Sequence, residues 1–315
     1  MSTLLLTRTD VQHSMQALTL LEEMREAFRV QAAASGAESQ AAVPQRLSTS
    51  PQPGLQARVS LPGLLRGIDA YTVAVRTSGA GGPVRGFVHL QALDSGAPLA
   101  VLEASHLTAL ATGVVGAVAA DVLARAESSR VALLGAGPQA SRQLKSLRLV
   151  RSLQHARVYD ADMARAVEFA ARTYKELNLP VRPALSVEEA VEDADVVLVT
   201  GSPGAPVLFP GMLRPGTHVT ALATEGLGVC GLAPGFLRQS SFFCDFAAGA
   251  GLPGEDLQPT DLGEVLAGQR PGRSDAGQIS VFALLAPPWQ DLVAAWHVYQ
   301  GVRGDEDARR LDFES

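Results

Sequence analysis

Residues 131–147, VALLGAGPQASRQLKSL, admit few folds: a buried strand, a glycine turn and a helix. Val131 to Leu134 are apolar without alternation, the pattern of a parallel strand covered on both faces. Gly135 and Gly137 permit a tight turn and a close approach of backbone to a pyrophosphate. Ala140 fills the third glycine position, where helix–strand packing needs only a small side chain. Pro138 and Gln139 lie at the helix start, where unpaired N–H groups and the helix dipole favour a phosphate. His155 to Tyr159 reads as a second strand ending at Asp160, 20 residues after Ala140 (160 − 140). A carboxylate at that spacing takes the ribose hydroxyls of an adenine dinucleotide. A purely structural strand–glycine–helix turn is the ordinary alternative for a bare GxGxxA, and the second strand with its acid argues against it. Asp160 and Asp162 would repel a 2′-phosphate, so NAD(H) is favoured over NADP(H). Arg157 and Arg165 are near in sequence and pull the other way.

A chain of 315 residues with 47% hydrophobic content is too long for one ordinary α/β core, so two domains are expected. A net charge of −6 and the lack of a basic stripe with interleaved aromatics argue against a nucleic-acid partner. Cys230 and Cys244 fit a reducing compartment and read as buried, inert thiols. The N-terminus has only a three-leucine run before Arg8 and Asp10, which is not a signal peptide. Leu107 to Ala120 is apolar but short of a membrane span. A soluble, cytoplasmic protein without a membrane partner is the expectation.

Residues 10–34 carry a helical stripe of Met15, Leu18, Leu21, Met24 and Phe28. Residues 35–55, rich in Ser, Gln, Pro and Gly, read as loop. From Gln56 to Ala100, short β-type runs separated by Gly and Pro predict an antiparallel sheet. A helix over 107–126 leads into the first dinucleotide-binding strand. Strands and helices then alternate through HARVY, 163–176, Val181, 186–190, ADVVLVT and THVTAL, with SSFFCDF as the last evident strand. Such alternation gives a parallel, doubly wound sheet. A helix over 291–302 closes the chain and is expected to pack back on the N-terminal sheet.

VPQR (43–46), LTALATGVVGAVAADVLAR (107–125), VALLGAGPQA (131–140), ADVVLVTGS (194–202), RPGTHVTALATEGLG (214–228), DLGEVLAGQRPGR (261–273) and ISVF…QDLVAA (279–295) together resemble the ornithine cyclodeaminase/mu-crystallin family. The resemblance implies an α/β fold: a Rossmann-type doubly wound parallel sheet, residues 121–289, plus a smaller α+β domain for substrate binding and dimerisation. That smaller domain would be residues 1–120 with 290–315. It also implies a site at the cleft and a homodimer. The family includes ornithine cyclodeaminase, alanine dehydrogenase, cyclic imino-acid reductases and hormone-binding crystallins. Their shared chemistry exchanges a hydride between nicotinamide and the α-carbon of an amine or imine.

Such chemistry needs cations on the substrate carboxylate, an acid/base beside the nitrogen and a dry site. Arg46 matches the family's carboxylate-binding arginine, with a surface arginine as the ordinary alternative. Asp69 stands where the family usually has lysine, and Ala111 where arginine normally precedes Thr112. Glu225 falls at the position of the catalytic aspartate, Gly231 replaces a downstream glutamate, and FALLAPPWQD replaces a pattern with Lys, Ser and Gly. Glu225 could serve as acid/base if burial raises its pKa. Asp69 could face a cationic group of the substrate or pair with Arg46; solvated carboxylates are the alternative for both. Thr112 is expected at the cofactor end of its helix, or else as a helix cap. Arg58, Arg66, Arg76 and Arg85 are the candidate replacement cations, and sequence does not choose among them.

The six histidines show no close metal-ligand pairing, so no metal site is expected. No G-x-S-x-G elbow supports hydrolysis. AAGAGLPGED (247–256) reads as loop. The expected function is an NAD(H)-dependent oxidoreductase or cyclodeaminase-type lyase acting at the C–N bond of a small amino or imino acid. The competing reading is a dinucleotide- and ligand-binding protein without catalysis.

Overall fold

A computed structural model describes residues 2–34, 45–79, 85–201, 205–224, 228–229, 231–233, 235–247 and 257–312. The chain divides into two compact units, Met1–Ala111 with Ala286–Ser315, and Thr112–Leu285.

The first unit opens with β1 (Thr3–Leu6), α1 (Arg8–Ser14) and α2 (Ala17–Ala34). The single helix expected over 10–34 is thus two. A capping box between Thr7 and Asp10 starts α1, and Met15 is extended. The Gln16 N–H then donates to His297 Nε2 (3.1 Å), whose Nδ1 bonds Glu23 (2.9 Å). A tertiary hydrogen bond has replaced the helical one. Next come β2 (Gln45–Gln52), β3 (Leu55–Gly63), β4 (Ala70–Gly79), β5 (Arg85–Ala92) and β6 (Pro98–Glu103). β2 corrects the loop expected there: its polar run QRLSTSPQ has no apolar alternation to read, and its order comes from pairing with β3. The strands β2 to β6 form an antiparallel meander, and β1 adds to β6 in parallel. Ala74, Val88, Leu90 and Leu102 are buried on its inner face.

α3 (Ala104–Leu123) carries the chain from the first unit into the second. Glu103 caps its start, accepting the N–H groups of Ser105 and His106 at 2.9 Å each. Its last carbonyls accept from two arginines, Arg151 at Ala120 and Asp121, and Arg273 at Leu123 (2.7 Å). Cations there complement the helix dipole. At 20 residues, α3 has the length and composition of a membrane span, contrary to the sequence expectation, but 72% of its apolar window is buried within the protein.

The second unit contains β7 (Arg130–Leu134), α4 (Pro138–Leu147), β8 (His155–Tyr159), α5 (Met163–Leu177), β9 (Val181–Pro183), α6 (Val187–Val191), β10 (Val196–Val199), β11 (His218–Thr224), β12 (Gly228–Val229), β13 (Ser241–Cys244), β14 (Thr260–Asp261), α7 (Leu262–Leu266) and β15 (Ser280–Leu284). Its parallel sheet runs β14-β13-β15-β11-β10-β7-β8-β9, with β12 antiparallel on β11. This is a Rossmann-type doubly wound sheet. β14 and β15 follow SSFFCDF, beyond the Gly/Pro-rich segment, and β15 was not readable as a strand. Its five residues are all buried, so SVFAL offers no alternation.

His218, at the start of β11, is fully enclosed. Its Nδ1 lies 2.9 Å from Ser280 Oγ and its Nε2 3.1 Å from Thr220 Oγ1. Ser280 Oγ donates to the Leu123 carbonyl and accepts from Arg273. The serine proton is therefore committed, so Nδ1 carries a proton and donates to Ser280; a neutral ring then accepts from Thr220 at Nε2. Burial, then the charges of Arg273 and Arg151, push its pKa down to about 3.

After Leu285 the chain rejoins the first unit. α8 (Pro288–Val302) packs on β3, β4, β5 and α2, and β16 (Arg310–Leu311) pairs with β1. Trp289 stands edge-on to Phe28 at 4.9 Å. Gly63 fits under this helix because any Cβ there would lie 2.5 Å from the Pro288 carbonyl oxygen.

Candidate functional site

The strand order reverses direction between β7 and β10, and ligands of open α/β sheets bind outside the carboxyl ends at such a switch point. Gly135 leaves β7 with φ +111°, a conformation that favours glycine. An added Cβ would lie 2.8 Å from Gly201 N, in the turn that follows β10. That turn is fastened to β7 by the N–H groups of Thr200 and Gly201, both donating to the Leu134 carbonyl (3.0 and 3.1 Å). Gly137 is different. It has ordinary backbone angles at the N-cap of α4, no side-chain cap, and nothing within 4 Å of an added Cβ. Neither conformation nor packing asks for glycine there. The open space lies against a helix N-terminus, as a phosphate requires.

Gln139, in the first turn of α4, has its Nε2 buried with no hydrogen-bond partner among the described residues. Ala140 is fully buried, as helix–strand packing demands. Asp160 stands at the tip of β8. Its Oδ2 accepts the Ala136 N–H (2.8 Å) and its Oδ1 the Asp162 N–H (3.1 Å), fixing the carboxylate beside the glycine loop. Arg165 Nη2 lies 3.6 Å from Asp160. Arg157 is turned elsewhere, donating to the Glu189 carbonyl (2.6 Å) and lying 3.4 Å from Asp193. Asp162 caps α5 through the Ala164 N–H. The residues present therefore fit a dinucleotide: a cradle at Gly137, an unpaired amide at Gln139 and a held carboxylate at Asp160.

Thr112 is buried in the middle of α3, which excludes the helix-cap reading. Beside it, Gly113 approaches α4 so closely that a Cβ would lie 2.9 Å from Ser146 Oγ.

In the first unit, Arg76 of β4 donates through Nη2 to Thr108 Oγ1 of α3 and to Asp291 Oδ2 of α8, each at 2.6 Å. The Thr108 hydroxyl donates to Asp291 Oδ1 (3.0 Å). Sequence reasoning had Arg76 as one of four arginines and missed Asp291, although QDLVAA marked its helix. Arg58, Arg66 and Arg85 are exposed.

The sequence profile of the ornithine cyclodeaminase/mu-crystallin family matches residues 1–306. The chain belongs to this family. It is 28% identical to an alanine dehydrogenase of Archaeoglobus fulgidus over 99% of both chains. It is 30% identical to an ornithine cyclodeaminase of Agrobacterium fabrum over 73% of this chain and 67% of that one. The matched stretches span from 63% to 99% of the first three curated relatives. Among solved structures it is similar to an archaeal alanine dehydrogenase dimer with bound NAD, with TM-score 0.88, 26% identity and coverage of 99% and 100%. It is also similar to the Thermococcus litoralis Δ1-pyrroline-2-carboxylate reductase in complex with NADH and L-proline, with TM-score 0.86, 27% identity and coverage of 95% and 97%.

Against the pattern of the ornithine cyclodeaminase/mu-crystallin family, the departures now have places. Asp69 is exposed just before β4, its carbonyl accepting the Leu93 N–H (3.0 Å). Ala111 is buried in α3. Position 46 lies in β2 opposite Ser60. Gly231 has φ +76° and its carbonyl accepts two N–H groups, from Val207 and Leu208, so a turn accounts for glycine there. Ala286 holds φ +54° in the segment where the family usually carries glycine. Glu225, Cys230 and the stretch 248–256 lie outside the described residues. Cys244 is buried, and burial, with Asp245 and Asp261 nearby, pushes its thiol pKa well up. A thiol held protonated is inert.

Proposed function

We propose that this chain is an NAD(H)-dependent enzyme acting at the C–N bond of a small amino or imino acid. The observation that carries the reading is Gly137, a glycine that the protein itself does not need, at the start of the helix that begins the switch-point site. Bound nicotinamide supplies or takes a hydride at the substrate α-carbon. The second unit holds the cofactor, with Gly135, Gly137, Pro138, Gln139 and Ala140 on the pyrophosphate side, Asp160 on the ribose and Thr112 toward the phosphates. NAD(H) is preferred over NADP(H), because a 2′-phosphate would meet the Asp160 carboxylate; Arg165 softens that preference without removing it.

The first unit binds the substrate. Arg46 takes a carboxylate, and Asp69 meets a cationic group where the substrate has one. Glu225 gives or takes the proton at nitrogen, with a reach one methylene longer than aspartate. The relatives named as alanine dehydrogenase, pyrroline-carboxylate reductase and ornithine cyclodeaminase all work on such compounds, which supports the substrate class. The enzyme acts as a cytoplasmic homodimer. Its interface is the outer face of the first sheet, where Leu47, Val59, Val75 and Phe87 line up across β2 to β5, with Leu47 and Phe87 exposed.

Purified protein with NADH against cyclic and linear imino acids, and with NAD against L-alanine, L-proline and L-ornithine, tests the reading by nicotinamide absorbance. Turnover abolished by Glu225→Gln is the expected result. Tight NADH binding without turnover on any of them would favour the non-catalytic binder.

A further inference from the structure

Resting on the dinucleotide site of that reading, we propose that Leu185 is a cofactor-binding residue, the apolar wall against which the adenine base lies. Among the described residues it is the most exposed large hydrophobic side chain, at 81%. It stands between the end of β9 and Ser186, the cap of α6. An apolar residue just before a helix cap commonly packs on the fourth residue of the helix, here Ala190. Leu185 has no such role, because it stays in solvent while Ala190 is buried. Its backbone is nevertheless held on both sides. The Ala184 N–H donates to the Val158 carbonyl (2.9 Å), the Leu185 N–H to Glu189 Oε2 (2.6 Å), and the Glu189 N–H to Ser186 Oγ (3.2 Å). The fold thus presents a leucine in a fixed place without packing it.

That place continues the line of the cofactor. Neighbouring strands of the sheet follow in the order β10-β7-β8-β9. With the pyrophosphate at Gly137 after β7 and the ribose at Asp160 after β8, the base on that ribose is the next group in the direction of β9. Parallel pairing sets Val158 opposite Pro183, so Asp160 and Leu185 each stand two residues past one matched pair. They leave the carboxyl ends of adjacent strands, which lie about 4.8 Å apart. A single exposed leucine is ordinary on a protein surface. This one is set apart by its held backbone and by its place beside the acid that takes the ribose. Asp160 suits the polar hydroxyls, and an apolar side chain next to it suits the flat face of a purine, which sheds water on contact. The ligand class this selects is a dinucleotide whose ribose carries a purine, recognised by its face and not by its edge.

The test compares wild-type protein with Leu185→Ser and Leu185→Phe. Because the side chain is exposed, the melting temperature of both variants should hold, and binding is read on intact protein. Calorimetric titrations use NADH, ADP-ribose, which keeps the adenine, and reduced nicotinamide mononucleotide, which lacks it. We expect Leu185→Ser to bind NADH and ADP-ribose about fivefold to twentyfold more weakly, the scale of a leucine side chain left without its apolar contact. The mononucleotide should bind as it does to wild type. Leu185→Phe, which offers a ring to the base, should bind NADH at least as well as wild type. If the mononucleotide binds too weakly to titrate, ADP-ribose decides alone. Unchanged affinity for NADH and ADP-ribose in Leu185→Ser overturns the inference and leaves an ordinary surface leucine. An equal loss for the mononucleotide also overturns it, since that ligand has no adenine to lose. Wild-type protein that binds NADH but turns nothing over removes the catalytic function proposed above and leaves this inference to the variants. Wild-type protein that binds neither NADH nor ADP-ribose overturns both.

Discussion

At Gly135, a side chain would collide with the backbone of the turn after β10 and would also demand a left-handed conformation. At Gly137, it would meet only open space. The two glycines of one motif therefore fail differently. Gly135→Ala should lower stability by about 2 kcal/mol or more, through strain and a backbone shift. Gly137→Ala should cost about 1 kcal/mol or less, the difference between the two residues at an N-cap. It should nevertheless weaken NADH binding at least about tenfold, because the methyl group fills the space meant for a phosphate. Thermal melts and a fluorescence titration with NADH separate these outcomes. An unchanged NADH affinity in Gly137→Ala would argue against the cradle. The positions of both glycines, of Ala140 and of Asp160 were legible, because the motif reports a local turn and a strand-end acid. The partners of Arg157 were not. They lie in α6 and just after it, more than 30 residues on, and no spacing rule connects them. Arg76 was legible only as one arginine among four, since its burial depends on α3 and α8 closing over β4.

Among the elements, α3 shows how much of the family's sequence pattern serves the core. Arg273, in DLGEVLAGQRPGR, caps its last turn, and His218, in RPGTHVTAL, braces Ser280 beneath it. The buried imidazole also makes a prediction about pH. Its folded pKa, about 3, is below the ordinary 6.5, so the unfolded chain binds the proton first. Its stabilising contribution is complete above pH 6.5 and is lost progressively as pH falls toward 3. Asp195 holds its pKa at about 2: burial opposes its charge, but bonds from Arg130 and from the Ser129 and Arg130 N–H groups outweigh that. Its contribution is present above 3.8 and is lost only as pH falls through about 2. Between pH 6.5 and 4, His218 should therefore outweigh Asp195. Urea midpoints should fall between pH 7 and pH 5, and His218→Asn, less stable overall, should show a flatter profile. An equally steep profile in the variant would assign the acid sensitivity to another group. Helices with an amphipathic stripe and strands in regular alternation were readable. β2 and β15 were not, the first too polar and the second too uniformly apolar to declare a period.

For the whole molecule, composition and motif order gave an α/β chain with a Rossmann-type sheet and a second, antiparallel one. That followed because each sheet announces itself locally, by strand–helix alternation or by turn-punctuated strands. What remained hidden was where the chain changes units, since α3 runs on through the boundary at Thr112 without a break in its pattern. The homodimer proposal belongs at this scale. Leu47→Glu/Phe87→Glu places two charges on the outer face of the sheet and should shift the protein from dimer to monomer in light scattering. A dimer unaffected by both charges would move the interface elsewhere. The central claim is that this chain transfers a hydride between nicotinamide and the α-carbon of an amino or imino acid. Its most direct test uses NADH deuterated at C4 on the transferring face, with Δ1-pyrroline-2-carboxylate as substrate and mass spectrometry of the product. The account predicts proline carrying one deuterium at the α-carbon, with none formed by Glu225→Gln. NADH that stays bound and unoxidised across the panel of imino acids would contradict it.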